Sequence, residues 1–91
     1  MKIPQRKHLG ELEHLVLLAV ARLEGEAYGA AIQRLLGERA DRRVAIGALY
    51  RTLDRLVDKG YLETRRGEPE PERGGRPKRY FSLTAGGHRA L

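Results

Sequence analysis

The chain has 91 residues and a formal net charge of +6, with 18 lysines and arginines, 12 acidic residues and no cysteine. A chain this short forms one small domain with a modest core, and without cysteine it has no disulfide and no cysteine-based zinc site. It contains no apolar run of about eighteen residues and no apolar leader segment, so we expect neither a membrane span nor a secretory signal. The cytoplasm is the expected compartment.

The positive charge is unevenly distributed along the chain. Residues 1–8 carry +3, residues 9–41 carry −3, residues 42–66 carry +4 and residues 67–91 carry +2. A localised basic region indicates a polyanionic partner, and nucleic acid is the first candidate. A solvated, soluble surface would give the same composition and is the alternative.

The first half of the chain predicts two helices. Residues 9–23 have the apolar spacing of an amphipathic helix, and a second helix follows Tyr28. Three apolar side chains of the first helix lie off its main stripe, namely Leu17, Leu18 and Val20. A helix that is apolar around most of its surface is either deeply buried or in contact with a partner chain. We therefore predict these three residues as a dimer surface, together with the C-terminal end of the chain.

The segment LYRTLDRLVDKGYLETRR predicts a third helix followed by a strand. Its apolar residues recur at helical spacing, and Gly60 is placed to end the helix, so we expect the third helix at about residues 45–59. YLETRR and RPKRYFSLT then form a hairpin over about residues 61–84, with GEPEPERGG as its loop. Thr84 predicts the N-cap of one further helix.

This order of elements predicts a winged helix-turn-helix. The fold is mainly α, with three helices, a two-stranded hairpin as the wing and the start of a fourth helix. Residues 1–8 form a basic N-terminal arm, residues 9–84 the DNA-binding domain and residues 85–91 the start of a short C-terminal helix. In such domains the third helix enters the major groove, and the wing lies on the backbone or in the minor groove.

Three segments resemble the PadR family of bacterial transcription regulators. YGAAIQRLL resembles the family's Tyr-Gly opening of the second helix, GALYRTLDRLVDKGYL its third helix and GGRPKRYFSLTAGG its wing. The resemblance extends over residues 9–91. It implies a DNA-binding regulator, a repressor by expectation, that forms a homodimer on a palindromic operator in double-stranded DNA. It also implies an effector, and a long C-terminal dimerisation helix that would only be starting at Leu91.

The third helix and the wing supply the candidate DNA-binding residues. We predict that a stripe through Arg51 and Arg55 faces the major groove, where each arginine could read a guanine or clamp a phosphate. Salt bridges to Asp54 or Asp58 are the alternative for both arginines. The complete predicted set is Lys7, Gly47, Ala48, Tyr50, Arg51, Thr52, Arg55, Arg73, Arg76, Lys78 and Arg79.

Four residues of the third helix and the wing have side chains whose role depends on whether DNA contacts them. Tyr50 could pack its ring in the core or extend its hydroxyl to a phosphate. Gly47 lowers the stability of the helix by about 1 kcal/mol relative to alanine. A close approach of the DNA backbone would explain why a glycine is present at this position. Ala45 stands where the family often has Ser or Thr, and it gives up a cap worth about 0.5–2 kcal/mol. Arg76 lies between Gly75 and Pro77 and is the candidate for the minor groove.

Other functions have less support in the sequence. No nucleophile elbow, phosphate-binding glycine loop or paired catalytic carboxylates occur, so we do not expect an enzyme. His8, His14 and His88 lack the spacing of metal ligands, so no metal or cofactor is expected. A partly buried pH switch is one interpretation of His14, and a structural histidine with satisfied hydrogen bonds is the favoured one. A winged-helix protein-interaction module is the alternative function. Such a module would show apolar groups on the free face of its third helix.

Overall fold

Three helices form one layer of the protein, and an antiparallel hairpin extends from it, in a computed structural model that describes residues 9–69 and 77–91. The elements are α1 (Glu11–Leu23), α2 (Gly29–Arg39), α3 (Ile46–Asp58), β1 (Leu62–Pro69), β2 (Pro77–Leu83) and α4 (Ala85–Ala90). This order confirms the predicted winged helix-turn-helix. Within the described ranges, no helix has the length and apolar character that crossing a bilayer requires.

The helix ends follow the capping residues in the sequence. Gly60 has a φ of +85°, and its N–H donates to the carbonyl of Val57, which ends α3 as predicted. Thr84 caps α4, because its hydroxyl accepts a hydrogen bond of 3.0 Å from the N–H of Gly87. Ala45 gives α3 no side-chain cap, as its methyl group predicts.

The first strand is longer than the sequence predicted. The expected loop began at Gly67, but β1 continues to Pro69, which pairs with Pro77 across the hairpin. The register shifts between Arg66 and Pro69, so β1 contains an extra residue there. A bulge of this kind lets a two-stranded hairpin continue through residues that turn propensity assigns to a loop.

The core lies where the three helices meet the base of the hairpin. Its buried apolar residues are Val16, Leu17, Ala19, Val20, Ala27, Ile32, Leu36, Leu49, Leu53, Leu56, Leu62 and Phe81. The predicted dimer surface on α1 is therefore wrong for Leu17 and Val20, whose exposed fractions are 0% and 4%. These two residues are buried because α1 contacts α2, α3 and β2 together. Leu18 is 45% exposed.

Phe81 joins the hairpin to the helical layer. Its ring is buried, and its N–H donates a hydrogen bond of 2.8 Å to the carbonyl of Ala27 in the connection before α2. The adjacent Tyr28 forms an isolated antiparallel bridge with Tyr80, and their rings meet edge to face at 5.7 Å. The chain before α2 therefore contacts β2 through one main-chain hydrogen bond and one pair of rings, and these contacts fix the hairpin against the helices.

The helices α2 and α3 approach most closely where Gly29 faces Tyr50. Gly29 is buried, and a Cβ added to it would lie 2.6 Å from Cζ of Tyr50 and would also overlap the tyrosine hydroxyl. The Tyr50 ring is tilted against Phe81, with 6.5 Å between the ring centres. The space occupied by the tyrosine ring thus requires a glycine on the facing helix.

We expect Gly29→Ala to destabilise the fold by about 1–3 kcal/mol, because the added methyl must displace Tyr50 or α2. Gly37→Ala is the matched control on the same helix, since no atom lies within 4 Å of its added Cβ. That substitution should stabilise the protein by about 0.5–1 kcal/mol. Urea unfolding of both variants measures the difference, and equal effects would show that no steric constraint exists at residue 29.

Candidate nucleic-acid interface

The outward face of α3 runs through Gly47, Arg51 and Asp54, all of which are exposed. This face is rotated from the predicted stripe, because Thr52 is only 1% exposed. The Thr52 hydroxyl donates a hydrogen bond of 3.0 Å to the carbonyl of Ala48, which satisfies the side chain inside the helix layer. The prediction that Thr52 contacts DNA is therefore wrong, and Ala48 lies half-buried at the edge of the outward face.

Arg51 occupies the centre of this outward face. Its side chain forms no ion pair with any residue that the structure describes, so its guanidinium is available to a ligand. One turn earlier, no atom lies within 4 Å of a Cβ built on Gly47. The protein itself thus gives no steric reason for a glycine at position 47, and the surface in front of it is open.

Glu13 of α1 holds the C-terminal end of α3. Its buried carboxylate accepts hydrogen bonds from Lys59 at 2.8 and 2.9 Å, from Arg55 at 3.4 Å and from the N–H of Gly10 at 2.9 Å. Burial raises the pKa of Glu13. The hydrogen bonds from Lys59, Gly10 and Arg55 and the positive charge of Lys59 lower this pKa by more, so it lies below its usual value. The ion-pair partner of Arg55 is therefore a residue of another helix.

Arg55 stays partly available despite this ion pair. Its side chain is 57% exposed, and its second contact is a hydrogen bond of 3.4 Å donated to the Thr52 hydroxyl. Tyr50, by contrast, is half-buried with its hydroxyl against Gly29, which favours the packing role over a phosphate contact.

Two arginines face each other across the hairpin on the side nearest α3. Arg66 and Arg79 are directly paired between β1 and β2, and like charges at such positions repel. Arg79 is stabilised by Asp54 of α3 at 3.0 Å and by the Phe81 ring, 4.8 Å from its guanidinium carbon. Arg66 was not among the DNA-binding residues predicted from the sequence. Strand alternation from the buried Leu62 would have indicated it, since residues 62, 64 and 66 share one face.

The opposite face of the hairpin holds a stack of cations and rings. The Lys78 ammonium lies 4.2 Å from the centre of the Tyr28 ring, and the Arg65 guanidinium lies 4.4 Å from the centre of the Tyr80 ring. Arg65 also donates a hydrogen bond of 3.2 Å to the carbonyl of Gly25. Lys78 therefore projects away from Arg79, because successive strand residues point to opposite faces.

Three of the predicted DNA-binding residues and one histidine remain to be placed. Lys7, Arg73 and Arg76 lie outside the described residues. His14 is exposed, so the alternative of a partly buried switch at this residue is wrong. Among residues 9–69 and 77–91, no group of three His, Cys, Asp or Glu side chains is placed to hold a metal ion.

These features together define a winged-helix DNA-binding protein, with an exposed arginine on its third helix and paired arginines on its wing. The sequence profile of the transcriptional regulator PadR-like family matches residues 17–91. The chain belongs to this family, whose members are DNA-binding transcription regulators and not enzymes.

Three solved structures show the similarity in detail. A PadR-like transcription factor from Bacteroides fragilis is 32% identical, with 87% of this chain and 71% of that chain covered and a TM-score of 0.73. A PadR family regulator from Eggerthella lenta is 29% identical over 88% and 69% of the two chains, with a TM-score of 0.66. A PadR family regulator from Clostridium difficile shares the fold at 22% identity over 90% and 80% of the chains, with a TM-score of 0.74. A search of curated proteins gives no match.

The charge of Glu13 should make stability depend on pH. We expect Glu13→Gln to lower the free energy of unfolding near pH 7 by about 1.5–3 kcal/mol, the range for hydrogen bonds to a charged group. Because folding lowers the pKa of Glu13 from 4.5, the advantage of the wild type is fully present above that pH and is lost as pH falls through the folded value.

Urea unfolding across this pH range measures the effect. Glu11→Gln is the control, since Glu11 is 85% exposed and its ion pair with Arg42 is long, at 3.8 Å. That variant should change stability by less than about 0.5 kcal/mol. A Glu13→Gln deficit that stayed constant down to about pH 2 would contradict the assignment.

Proposed function

We propose that the protein is a sequence-specific transcriptional repressor that acts in the cytoplasm, with α3 in the major groove and the hairpin on the neighbouring backbone or minor groove. The observation that carries this proposal is the exposed Arg51 at the centre of the outward face of α3. An arginine with no partner in the described structure can pair with O6 and N7 of guanine or with a phosphate. Either contact, with a guanine or with a phosphate, requires that α3 lies against DNA.

The ion pair between Asp54 and Arg79 joins α3 to the hairpin on this same side. Arg66 stands directly across from Arg79, and Arg55 flanks the outward face of α3. A DNA backbone placed along this side would relieve the repulsion between the two hairpin arginines, and the planar guanidinium suits two-point contact with phosphate. Arg66, Arg79 and Arg55 are therefore proposed as phosphate ligands.

We infer that the regulator acts as a homodimer on a palindromic operator. Leu18 on α1 and Leu91 at the C-terminal end are 45% and 44% exposed, and such large apolar side chains can be covered by a second copy. A two-fold dimer places two recognition helices on half-sites about one helical turn apart.

In-vitro selection of random duplexes by the purified protein tests the function. An enriched palindrome with half-sites about one helical turn apart would support the dimeric regulator. A single enriched half-site would support the DNA contact but contradict the dimer. Salt-sensitive binding without any enriched sequence would contradict the proposal and favour the protein-interaction module.

Substitution of the two key arginines should give different defects. Arg51→Ala is expected to weaken binding of the selected operator about tenfold or more and to relax its sequence preference. Arg66→Ala should weaken all duplexes alike and lower the slope of log affinity against log salt by about 0.9. Arg22→Ala, which removes an exposed arginine of α1, is the control and should change neither quantity. Fluorescence anisotropy at several salt concentrations measures all three variants, and wild-type binding by Arg51→Ala would refute the position of α3.

Gly47→Ala should have opposite effects on the stability of the protein and on its affinity for the operator. The added methyl meets open space in the free protein, so the variant should be about 0.5–1 kcal/mol more stable than the wild type. If DNA approaches α3 closely at this position, the same variant should bind the operator more weakly. Urea unfolding and anisotropy on one preparation measure the two effects, and a stabilised variant with unchanged affinity would place residue 47 outside the interface.

A further inference from the structure

Ile46 is an apolar side chain that the fold does not use. It is the first residue of α3 and is 44% exposed, and within the described residues it is the only large exposed hydrophobic side chain on that helix. Core packing therefore does not explain it. A single isoleucine is too small to form the apolar patch of a protein-interaction module, but beside the outward-facing Gly47 it can contact a partner that lies against α3.

The side chains around Ile46 limit what this contact can be. Ala45, Ile46, Gly47 and Ala48 carry no hydrogen-bonding group, so the beginning of α3 offers only van der Waals contact through its side chains. Polar recognition starts one turn later, at Arg51. A base edge facing the beginning of α3 must therefore be recognised by an apolar group.

The major groove offers one such group, the C5 methyl of thymine. N-terminal residues of a recognition helix are the ones that contact base edges. We propose that Ile46 determines specificity by contacting a thymine methyl in each half-site. This inference rests on the proposed function, which places α3 in the major groove. It goes further by naming the base and the chemical group that the first turn reads.

The helix geometry also gives the position of this thymine. Ile46 and Arg51 are five residues apart, which is about 7.5 Å along an α-helix. Base pairs are spaced about 3.4 Å apart, so if α3 lies along the major groove as proposed, the thymine should lie about two base pairs from the contact of Arg51. The absence of a side chain at Gly47 leaves room for the base edge to approach between them.

Replacement of thymine by deoxyuracil tests the proposal, because deoxyuracil lacks the methyl group and keeps the base pairing. Each thymine of the selected operator is replaced singly, and affinity is measured by anisotropy. We expect one thymine per half-site at which the replacement weakens binding about fourfold, the effect of burying one methyl group. It should lie about two base pairs from the position whose preference is relaxed by Arg51→Ala.

Two variants assign this effect to Ile46. Ile46→Ala should bind the thymine and deoxyuracil duplexes equally at that position, while keeping the wild-type preference at the position read by Arg51. Arg22→Ala, which removes an exposed side chain of α1 outside the proposed interface, should keep the full fourfold difference. The readout is a ratio of affinities for two duplexes, so a change in dimerisation does not affect it.

Each result decides between the two proposals. An enriched operator in which no thymine is sensitive to deoxyuracil, or an Ile46→Ala protein that keeps the full sensitivity, would overturn the role of Ile46 and leave the repressor intact. Failure to enrich any sequence would overturn the proposed function itself. Sensitivity at one thymine that disappears only in Ile46→Ala would support both.

Discussion

The contact between Tyr50 and Gly29 sets the position of α3, and the direction of its outward face depends on it. The tyrosine ring fills a space that exists only because residue 29 has no side chain. The same ring lies against Phe81, whose main chain is bonded to Ala27 just before α2. A steric constraint between two helices thus also fixes the hairpin, so that α3 and the wing keep one relative orientation.

The two ends of α3 are held by different interactions, close packing at the beginning and ion pairs at the end. Near its beginning the helix is positioned by the close packing of Tyr50, which depends little on solvent conditions. At its end it is held by Glu13, whose charge is stabilised by Lys59 and Arg55 and depends on pH. The outward face of the helix is formed by Gly47, Arg51 and Asp54, which are exposed and have no role in the core.

The distribution of cations shows that net charge alone does not define the interface. Arg65 and Lys78 are basic wing residues, yet they stack on tyrosines on the face away from Arg79. Arg66 and Arg79 share the face near α3, and Asp54 offsets part of their repulsion. The paired arginines thus lie on one side of the hairpin, and the cations on the other side help to attach the wing to the residues before α2.

The sequence by itself determined the order and type of the elements, because these depend on local physics. Apolar periodicity marks the helices, Gly60 ends α3 through its positive φ, and Thr84 caps α4 through its own hydroxyl. Only the tertiary structure decided which residues face solvent. Leu17 and Thr52 are buried because neighbouring elements cover them, and Arg55 is paired with a glutamate of another helix. Such contacts join residues far apart in the chain, and the apolar stripe of a helix does not show which residues at its edges the neighbouring elements will cover.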